Sequence, residues 1–228
     1  MIDIHTHILP GLDDGSQTLS DSLEMAELAL ESGVDTIIAT PHSNQLGRFE
    51  NFDLAHLKHV FSRLQQALQE EGIPLTLHLG MEIFASEDLC EKIQAGALLS
   101  LNRSRYYLVE FAFDEAPEFI GDILDGMLSV GAIPVIAHPE RYFCVQDYPS
   151  LIYHWLQLGC FTQLNKGSIL GKFGRHAQIA ADYLLRYRLA TCIASDAHSP
   201  VMRTTHMRDI IEYLLETLRR TRNAPFII

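Results

Sequence analysis

Imidazole and carboxylate side chains recur at the ends of strand-like apolar runs along the whole chain. The residues of this kind are His5, His7, His42, Glu82, Glu110, His138, Asp196 and His198. Histidine nitrogens with carboxylate oxygens, and no cysteine thiolate among them, suit a cluster of catalytic divalent cations. Because the carboxyl ends of parallel strands gather at one face of a sheet or barrel, we expect these side chains to converge on one site.

The first run ends in His5-Thr6-His7, whose two imidazoles share one side of an extended segment. Such a pair can chelate one ion, although an HxH triplet by itself is equally typical of two ordinary polar residues at a strand end. Glu82 and Glu110 each end an apolar run, and burying a carboxylate without a cation or a donor is costly. The repetition of the pattern favours metal coordination over a surface position.

Asp13-Asp14-Gly15 follows the turn formed by Leu9-Pro10-Gly11. Turn and helix-capping chemistry explains these residues well. A chain that returns over the strand ends directly after His7 could also bring one carboxylate into the cluster. We predict Asp14 as that ligand.

Strand-like runs alternate with helical patterns from one end of the chain to the other. The seven predicted strands cover residues 1–5, 34–40, 75–81, 106–110, 133–138, 161–164 and 191–195. Predicted helices cover 20–32, 117–130, 150–158, 174–187 and 204–220, and another follows the predicted N-cap Asp53 and ends before Gly72 and Pro74. Its apolar stripe should cover a sheet.

Parallel strands joined by helices form either an open doubly wound sheet or a closed barrel. An open sheet concentrates its site at one switch point, whereas here at least six of the seven runs supply a candidate ligand. No low-complexity linker, repeat or sharp change in composition divides the chain. We therefore predict an α/β fold in which residues 1–228 form a single domain, a seven-stranded relative of the TIM barrel.

Composition and charge exclude several classes of protein. The formal net charge of −12 makes a nucleic-acid backbone a poor partner. No apolar run approaches the roughly 20 residues of a membrane helix and no N-terminal stretch resembles a secretory signal, so we expect a cytoplasmic protein. The arginines near the C-terminus are a local exception and form either a basic edge or an ordinary solvated helix face. They are Arg203, Arg208, Arg219, Arg220 and Arg222.

The cysteines are scattered along the chain without CxxC spacing, and we expect reduced, mostly buried thiols. They are Cys90, Cys144, Cys160 and Cys192. No cysteine begins a Cys-x5-Arg sequence, which removes the thiolate-and-arginine arrangement of cysteine-dependent phosphatases. Phosphate chemistry here would need another source of the nucleophile.

Other polar residues have plainer interpretations. The histidines on predicted helices are expected to be surface or packing residues: His56, His59, His154, His176 and His206. His78 shares strand parity with Glu82 and is either a partner behind a metal ligand or a satisfied core histidine. The segment 167–173 lacks the spacing of a nucleotide-binding loop, but it could wall the pocket and bring Asn165 or Ser168 near the substrate.

Four segments together resemble the polymerase-and-histidinol-phosphatase (PHP) superfamily, and within it the bacterial manganese-dependent protein-tyrosine phosphatases of the CpsB and YwqE type. The segments are His5-Thr6-His7-Ile8-Leu9-Pro10-Gly11-Leu12-Asp13-Asp14-Gly15, Thr40-Pro41-His42, Ala137-His138-Pro139-Glu140-Arg141 and Ser195-Asp196-Ala197-His198. The resemblance extends over essentially the full chain. It implies a distorted (β/α)7 barrel that holds two or three metal ions, with manganese as the expected metal and iron, cobalt or zinc as chemically possible ones.

The resemblance also implies how the ligands divide among three ions. His5, His7, Glu82 and Asp196 would surround one ion, and Glu82 would bridge to a second ion held by Glu110 and His138. Asp14, His42 and His198 would hold the third.

Similarity to this family implies removal of phosphate from tyrosines of a bacterial kinase that governs capsule or exopolysaccharide synthesis. Our hypothesis for the chemistry is in-line attack of a metal-bound hydroxide on phosphorus. Arg141 and Arg203 follow ligand-bearing strands and are predicted to grip phosphate or stabilise the departing phenolate, although each could instead form a surface ion pair. Two alternatives remain: a phosphatase for a small metabolite such as histidinol phosphate, and a non-catalytic metal-binding regulator that recognises a phosphopeptide.

Overall fold

The computed structural model describes residues 1–222, with side chains described through residue 216. Three arginines of the predicted basic edge, Arg219, Arg220 and Arg222, therefore have side chains outside the described part. Arg208 makes a hydrogen bond from its guanidinium to the carbonyl oxygen of Glu31, and Arg203 belongs to the site described below. Whether the five arginines form a basic edge therefore stays a prediction.

Strands and helices alternate along the chain. The strands are β1 (Ile2–Thr6), β2 (Thr36–Ala39), β3 (His42–Ser43), β4 (Thr76–Leu79), β5 (Glu82–Phe84), β6 (Tyr106–Glu110), β7 (Ile133–Ala137), β8 (Phe161–Asn165) and β9 (Cys192–Ala194). The helices are α1 (Leu19–Glu31), α2 (Leu54–Glu70), α3 (Leu89–Gln94), α4 (Pro117–Ser129), α5 (Phe143–Asp147), α6 (Leu151–Leu158), α7 (Lys166–Ile169), α8 (Arg175–Arg186) and α9 (Arg208–Arg222).

All pairings between these strands are parallel, as predicted, but the strands form two sheets. One sheet has the order β1-β2-β4 and the other the order β3-β5-β6-β7-β8-β9. Residues 1–222 contain nine strands, whereas the sequence predicted seven. The number differs because each of two predicted runs is interrupted for two residues and then continues as a second strand. Pro41 has no N–H to donate between β2 and β3, and Gly80, between β4 and β5, lies close to Leu101.

The first and last strands of the chain lie side by side. The N–H of Asp196 donates to the carbonyl oxygen of His5 over 3.0 Å, and the N–H of His7 donates to the carbonyl oxygen of Ala197 over 2.9 Å. An isolated parallel bridge joins Thr6 to Ala197. These bonds link β1 in the first sheet to the segment after β9 in the second.

Helix α2 shows why the predicted helices form where they do. The Asp53 carboxylate accepts hydrogen bonds from the N–H groups of Ala55 and His56, both over 3.0 Å, which satisfies donors of the first turn. The predicted apolar stripe of this helix is buried, apart from the half-buried Phe61; its buried members are Leu57, Val60, Leu64, Ala67 and Leu68. Burying that face against the sheet fixes the helix in place.

Two clusters of apolar side chains make up the core. The larger cluster lies between the helices and the strands. The smaller cluster gathers residues from strands that are far apart in sequence: Ile38 from β2, Leu108 from β6, and Val135 and Ala137 from β7, with Leu101 and the partly buried Ile4 and Phe161. Residues from β1, β2, β6, β7 and β8 therefore pack on one another across the space between the two sheets.

The remaining differences from the predicted elements concern short segments of the chain. Helices α3, α5 and α7 have only 6, 5 and 4 residues, too few to show a helical period in the sequence. Helix α9 begins at Arg208 instead of residue 204, because the carbonyl oxygens of Thr204 and His206 accept hydrogen bonds from Lys166 Nζ over 2.8 and 2.6 Å.

Two predictions from composition can be compared with the structure. All the cysteines are free, but only Cys160 is fully buried and the others are half-buried. Within residues 1–222, no helix has both the length and the apolar character that a membrane span requires.

Candidate metal centre

The candidate ligands come together at one end of the strands, as predicted. His5 lies in β1, Glu110 ends β6, and His138 and Asp196 follow β7 and β9. His42 and Glu82 open the short strands β3 and β5, which the sequence did not reveal. In the parallel pairing of these two strands, His42 is the partner of Glu82.

A first group consists of His5, His7, Glu82 and Asp196, all of them buried, with one ligand atom of each within 4.8 Å of the others. His5 Nε2 and His7 Nε2 are each 3.1 Å from Glu82 Oε2 and 3.5 Å from Asp196 Oδ1. The two imidazole nitrogens are 3.2 Å apart. This is the set predicted around one ion.

A second group shares Glu82 with the first. His42 Nδ1 lies 3.1 Å from Glu82 Oε2 and 3.0 Å from Glu110 Oε1. His138 Nε2 lies 2.8 Å from the other Glu82 oxygen, Oε1, and 3.8 Å from Glu110 Oε2. Glu82 thus lies between the two groups, and its role as a bridge between two ions stays a prediction.

A third group comprises His7, Asp14, His42 and His198. Asp14 Oδ1 is 3.5 Å from the Nε2 atoms of both His42 and His198. His7 and His42 therefore each lie close enough to join two groups, whereas the predicted division assigned each of them to one ion. The distances bring every predicted ligand into the cluster but leave this division as a prediction.

The chemistry of the cluster fits divalent cations. Three of its buried atoms, His42 Nδ1, Glu82 Oε2 and Glu110 Oε1, have no hydrogen-bond partner among the described residues, although the two carboxylate oxygens lie 3.1 and 3.0 Å from His42 Nδ1. Buried polar atoms are normally paired, so acceptors that face one another at this distance need a cation between them. Imidazole nitrogens and carboxylate oxygens together suit manganese, iron, cobalt or zinc.

Electrostatics within the first group favour charged forms. Burial opposes the imidazolium form of His5, but the carboxylates of Glu82 and Asp196 outweigh it and raise the pKa of His5 to about 9. Burial likewise opposes the Glu82 carboxylate, but His5 and His42 hold its pKa well below the usual range. Protons and metal cations are therefore alternatives at these nitrogens.

Asp13, which the sequence analysis treated as a turn residue, orients two of the histidines. Its Oδ2 atom lies 2.7 Å from His7 Nδ1 and accepts a hydrogen bond of 2.8 Å from the N–H of His42. Its Oδ1 atom accepts from the N–H of Gly15. Asp13 is thus both the turn residue and the partner that presents His7 Nε2 to the cluster.

Gly15 is required by the return of the chain over His7. A Cβ atom at position 15 would lie 2.3 Å from His7 Cβ and 2.4 Å from the His7 carbonyl oxygen. The N–H of Ser16 donates to that same carbonyl oxygen over 2.9 Å. The Asp13-Asp14-Gly15 sequence therefore places a carboxylate on His7 and lets the backbone pass directly beside it.

Two further side chains support the cluster from β8. Gln163 Oε1 lies 2.8 Å from His5 Nδ1. Asn165 donates from its amide to Asp196 Oδ2, and its amide oxygen accepts from the N–H of Gly167 over 2.7 Å. Asn165, which was considered with Ser168 as a residue that could lie near the substrate, thus holds Asp196 and caps α7.

Ser168 and His78 do not line the site. Ser168 is fully buried and does not reach the cavity above the cluster, so the predicted contact with substrate gains no support. His78 is half-buried and lines a different cavity beside Lys58 and Arg103. The histidines expected at the surface are exposed at positions 56, 59, 154 and 176, while His206 is half-buried in the loop before α9.

Several site residues have left-handed backbone conformations. His138, Asp196 and Arg203 have φ angles of 33°, 49° and 52°. A non-glycine residue in this region costs about 1 to 3 kcal/mol, and such strain clusters at functional sites. The left-handed conformations of His138 and Asp196 turn the chain sharply just after β7 and β9 end.

A cavity of about 280 Å³ lies over the cluster. Its walls include most of the candidate ligands, namely Asp14, His42, Glu82, Glu110, His138, Asp196 and His198. Phe84, Phe111 and Phe113 add aromatic walls. The cavity therefore joins a polar floor to apolar sides.

Three arginines face this cavity, of which the sequence predicted two. The Arg141 guanidinium carbon lies 4.3 Å from the centroid of the Phe113 ring and 4.5 Å from that of Phe173. Arg203 Nη2 lies 2.6 Å from Asp196 Oδ2. Arg48, from the loop after β3, also lines the cavity and was not predicted.

The model of the family described as "Capsular polysaccharide synthesis, CpsB/CapC" matches residues 1–224. The chain belongs to this family. Tyrosine-protein phosphatase YwqE of Bacillus subtilis (strain 168) is 39% identical over 216 residues, which cover 95% of this chain and 84% of that protein. Tyrosine-protein phosphatase CpsB of Streptococcus agalactiae serotype V is 30% identical, with 100% and 95% covered.

Solved structures agree with this membership of the CpsB/CapC family. A chain from the crystal structures of YwqE from Bacillus subtilis and CpsB from Streptococcus pneumoniae, described as unique metal-dependent tyrosine phosphatases, aligns with a TM-score of 0.86 and 38% identity. The alignment covers 95% of this chain and 87% of that one. The putative histidinol phosphatase hisK of Listeria monocytogenes aligns with a TM-score of 0.55 at 11% identity, covering 89% and 98%, and is similar in fold alone.

Proposed function

We propose that this chain is a metal-dependent protein-tyrosine phosphatase that acts on a bacterial tyrosine kinase of capsule or exopolysaccharide synthesis. One observation carries the proposal: the buried His, Asp and Glu cluster opens into a cavity that also presents Arg141 and Arg203. Acidic and imidazole groups bind cations, and arginines bind phosphate oxygens, so the two together suit a phosphate ester. Membership of the CpsB/CapC family supports the choice of phosphotyrosine.

The ligands that we propose are His5, His7, Asp14, His42, Glu82, Glu110, His138, Asp196 and His198, and they would hold two or three ions, with manganese as the expected metal. Bound cations would supply an activated water as nucleophile and neutralise the charge of the phosphate oxygens. The rest of the proposed mechanism depends on residues of the chain that bind and orient the substrate.

Arg141 is the residue that we propose grips the phosphate. Its guanidinium lies against Phe113 and Phe173, and these rings restrict its rotation so that its N–H groups face the cavity with little loss of conformational freedom. Its nearest carboxylate oxygen is Asp196 Oδ2, at 3.8 Å, too far for a strong hydrogen bond. The donors of Arg141 are thus available to an incoming anion.

We propose that Arg203 has two roles, one toward a metal ligand and one toward the substrate. Its Nη2 atom forms an ion pair with Asp196 Oδ2 at 2.6 Å and helps to hold that carboxylate, while its buried Nε has no partner among the described residues. Arg203 therefore helps to position a ligand and retains one donor for the phosphate or the departing phenolate. Because tyrosine ionises near a pKa of about 10, phenolate leaves without a dedicated acid more readily than an alkoxide would.

The aromatic walls favour tyrosine over a small aliphatic phosphate. Phe113 is 37% exposed and lies at the edge of the cavity, where it can pack against the phenyl ring of a bound phosphotyrosine. A histidinol phosphatase remains the alternative enzyme because the same cluster could hydrolyse an alkyl phosphate. A non-catalytic regulator that binds phosphopeptide is the alternative without chemistry.

The proposed function is tested by phosphate release from a phosphotyrosine peptide and, in parallel, from histidinol phosphate. The protein is stripped of metal with a chelator and then supplied with manganese. We expect release from the peptide to stop on stripping and to return on re-addition. A large preference for histidinol phosphate would overturn the substrate, and peptide binding without chelator-sensitive release would support the regulator.

We further propose that residues 1–228 form one PHP-type domain and that the two sheets together make a distorted seven-membered (β/α) ring. The hydrogen bonds between β1 and the segment after β9 support this closure, as does the apolar cluster that gathers residues from five strands. A cytoplasmic location is part of the proposal, because a kinase phosphorylated from ATP presents its phosphotyrosines there.

A further inference from the structure

A second cavity of about 340 Å³ adjoins the one over the metal cluster, and we call it the side groove. The two cavities share Phe113 and Arg141 as walls. Beyond these residues, the side groove is lined by Phe143, Phe173, Arg175 and His176. An occupant of the metal cavity that extends past Arg141 therefore enters the side groove.

The side groove differs in charge from the chain as a whole. The formal net charge of the protein is −12, yet no Asp or Glu among the described residues lines this groove, whereas Arg141 and Arg175 do. Arg175 is exposed and makes no ion pair with any residue through position 216. A cationic concavity on an acidic protein is complementary to an anionic group of its partner.

Two further features of the side groove favour an anion on a peptide. The first turn of α8 borders the groove, and its N-cap, Gly174, provides no side chain to accept from the N–H groups of that turn. A negative charge near the start of a helix is favourable. The rings of Phe113 and Phe143, 37% and 55% exposed, give apolar surface on which the backbone and stem of an extended peptide can lie.

We propose that the side groove binds an acidic side chain of the substrate protein, within three residues of the phosphotyrosine. The proposal rests on the proposed phosphatase function, because the phosphotyrosine in the metal cavity is what brings the neighbouring residues to the groove. An extended chain advances about 3.4 Å per residue, so side chains up to three positions away lie within about 10 Å of the phosphotyrosine. Arg175 provides the specificity, and Phe143 provides apolar contact.

The test uses the full manganese-loaded chain and short peptides with one central phosphotyrosine in a neutral background. Glu is placed in turn at each of the three positions on either side, and each peptide is paired with a twin that carries Gln at the same position. We expect one or more Glu peptides to exceed their Gln twins in kcat/KM by about two- to fivefold, which is the range of an exposed ion pair. The ratio should fall as salt is added.

Variants of Arg175 show whether the groove causes the preference. In Arg175→Gln the ratio between Glu and Gln peptides should fall to about one, and in Arg175→Glu a Lys peptide should become the better substrate. Because each ratio is taken within one enzyme preparation, partial loss of folded protein cancels. Arg63→Gln is the matched control: it removes the same charge from an exposed position on α2 and should keep the wild-type ratio and rate.

Equal rates for Glu and Gln peptides at every position in the wild type would overturn the proposal, as would an undiminished preference in Arg175→Gln. Failure of the phosphatase function itself would look different, because the metal-loaded wild type would then release phosphate from none of the peptides.

Discussion

The carboxylate of Asp13 lies 2.7 Å from His7 Nδ1, on the side of the imidazole ring away from the metal cluster. This contact fixes which nitrogen carries the proton and turns Nε2 toward Glu82 and Asp196. Asp13→Asn should therefore weaken manganese binding by about ten- to a hundredfold, the usual effect of losing such a partner. Titration of the metal against a competing chelator measures the affinity.

The exposed Asp122 of α4 provides a control with the same change of side chain. Asp122→Asn should bind manganese as the wild type does. Unaltered affinity in Asp13→Asn would show that His7 is oriented without this carboxylate.

Arg141 is expected to contribute to turnover and not to metal binding. Arg141→Ala removes the proposed phosphate donors, and the loss of such a group from a preorganised site lowers kcat by about a hundredfold or more. Arg141→Lys should recover only part of the rate, because an ammonium cannot lie flat between Phe113 and Phe173 or offer a planar pair of donors.

Steady-state rates with a phosphotyrosine peptide, together with metal content by mass spectrometry, separate the two roles of Arg141. A variant with full turnover would remove Arg141 from the mechanism. A variant that loses its metal would instead make it a structural support of the cluster.

Gly15 and Gly121 give a paired test of the close passage over His7. Gly15→Ala places a methyl group against backbone and Cβ atoms of His7, and overpacking of this kind destabilises by about 1 to 3 kcal/mol. Gly121→Ala lies within α4 with open space around it and should stabilise by about 0.5 to 1 kcal/mol. Chemical denaturation gives the free energy of unfolding of both variants. A Gly15→Ala variant as stable as the wild type would mean that the loop moves to accommodate the methyl group without cost.

The thiols provide a prediction of pH dependence. Burial raises the pKa of both Cys160 and Cys192 to about 12. Near pH 8 their thiolate fraction is then about a thousandfold below that of an ordinary cysteine, so thiol reagents should label them slowly until the protein unfolds. Labelling of the native fold should speed up about tenfold per pH unit up to pH 10.

The same shifts affect stability at alkaline pH. Because the folded pKa lies above the unfolded one, the contribution of these thiols to the free energy of unfolding is complete below about pH 8.5 and is lost as the pH rises toward 12.

In the labelling experiment, mass spectrometry of the labelled peptides identifies each cysteine. Rapid modification of Cys192 at pH 7 in folded protein would contradict this burial.

The metal ligands could be predicted from the sequence because their signal is local. A run such as Ile133–Ala137 followed by His138 shows both a buried strand and a polar end, and parallel strands bring such ends together. The expectation that the loop returns over the cluster predicted one ligand from Asp13 and Asp14, and Asp14 was chosen. The structure uses both carboxylates: Asp13 contacts His7, and Asp14 lies near His42 and His198.

The surroundings of the cluster could not be predicted in the same way. Phe113 and Phe173 lie in loops more than fifty residues apart, and no period or spacing indicates that both contact Arg141. Arg48 likewise reaches the cavity from a loop whose path depends on tertiary contacts. The two-residue breaks at Pro41 and Gly80 change which strands pair. The hydrophobic period of the sequence does not show such breaks, so it could not predict the number of strands.

The hydrogen bond from the Asp196 N–H to the His5 carbonyl oxygen joins segments separated by nearly the whole length of the chain. During synthesis, a nascent polypeptide still lacking its final strand has no means of completing the pocket that His5 and His7 begin. Assembly of the metal centre should therefore be a late event of synthesis, and a product of translation interrupted before Asp196 should not bind the ions.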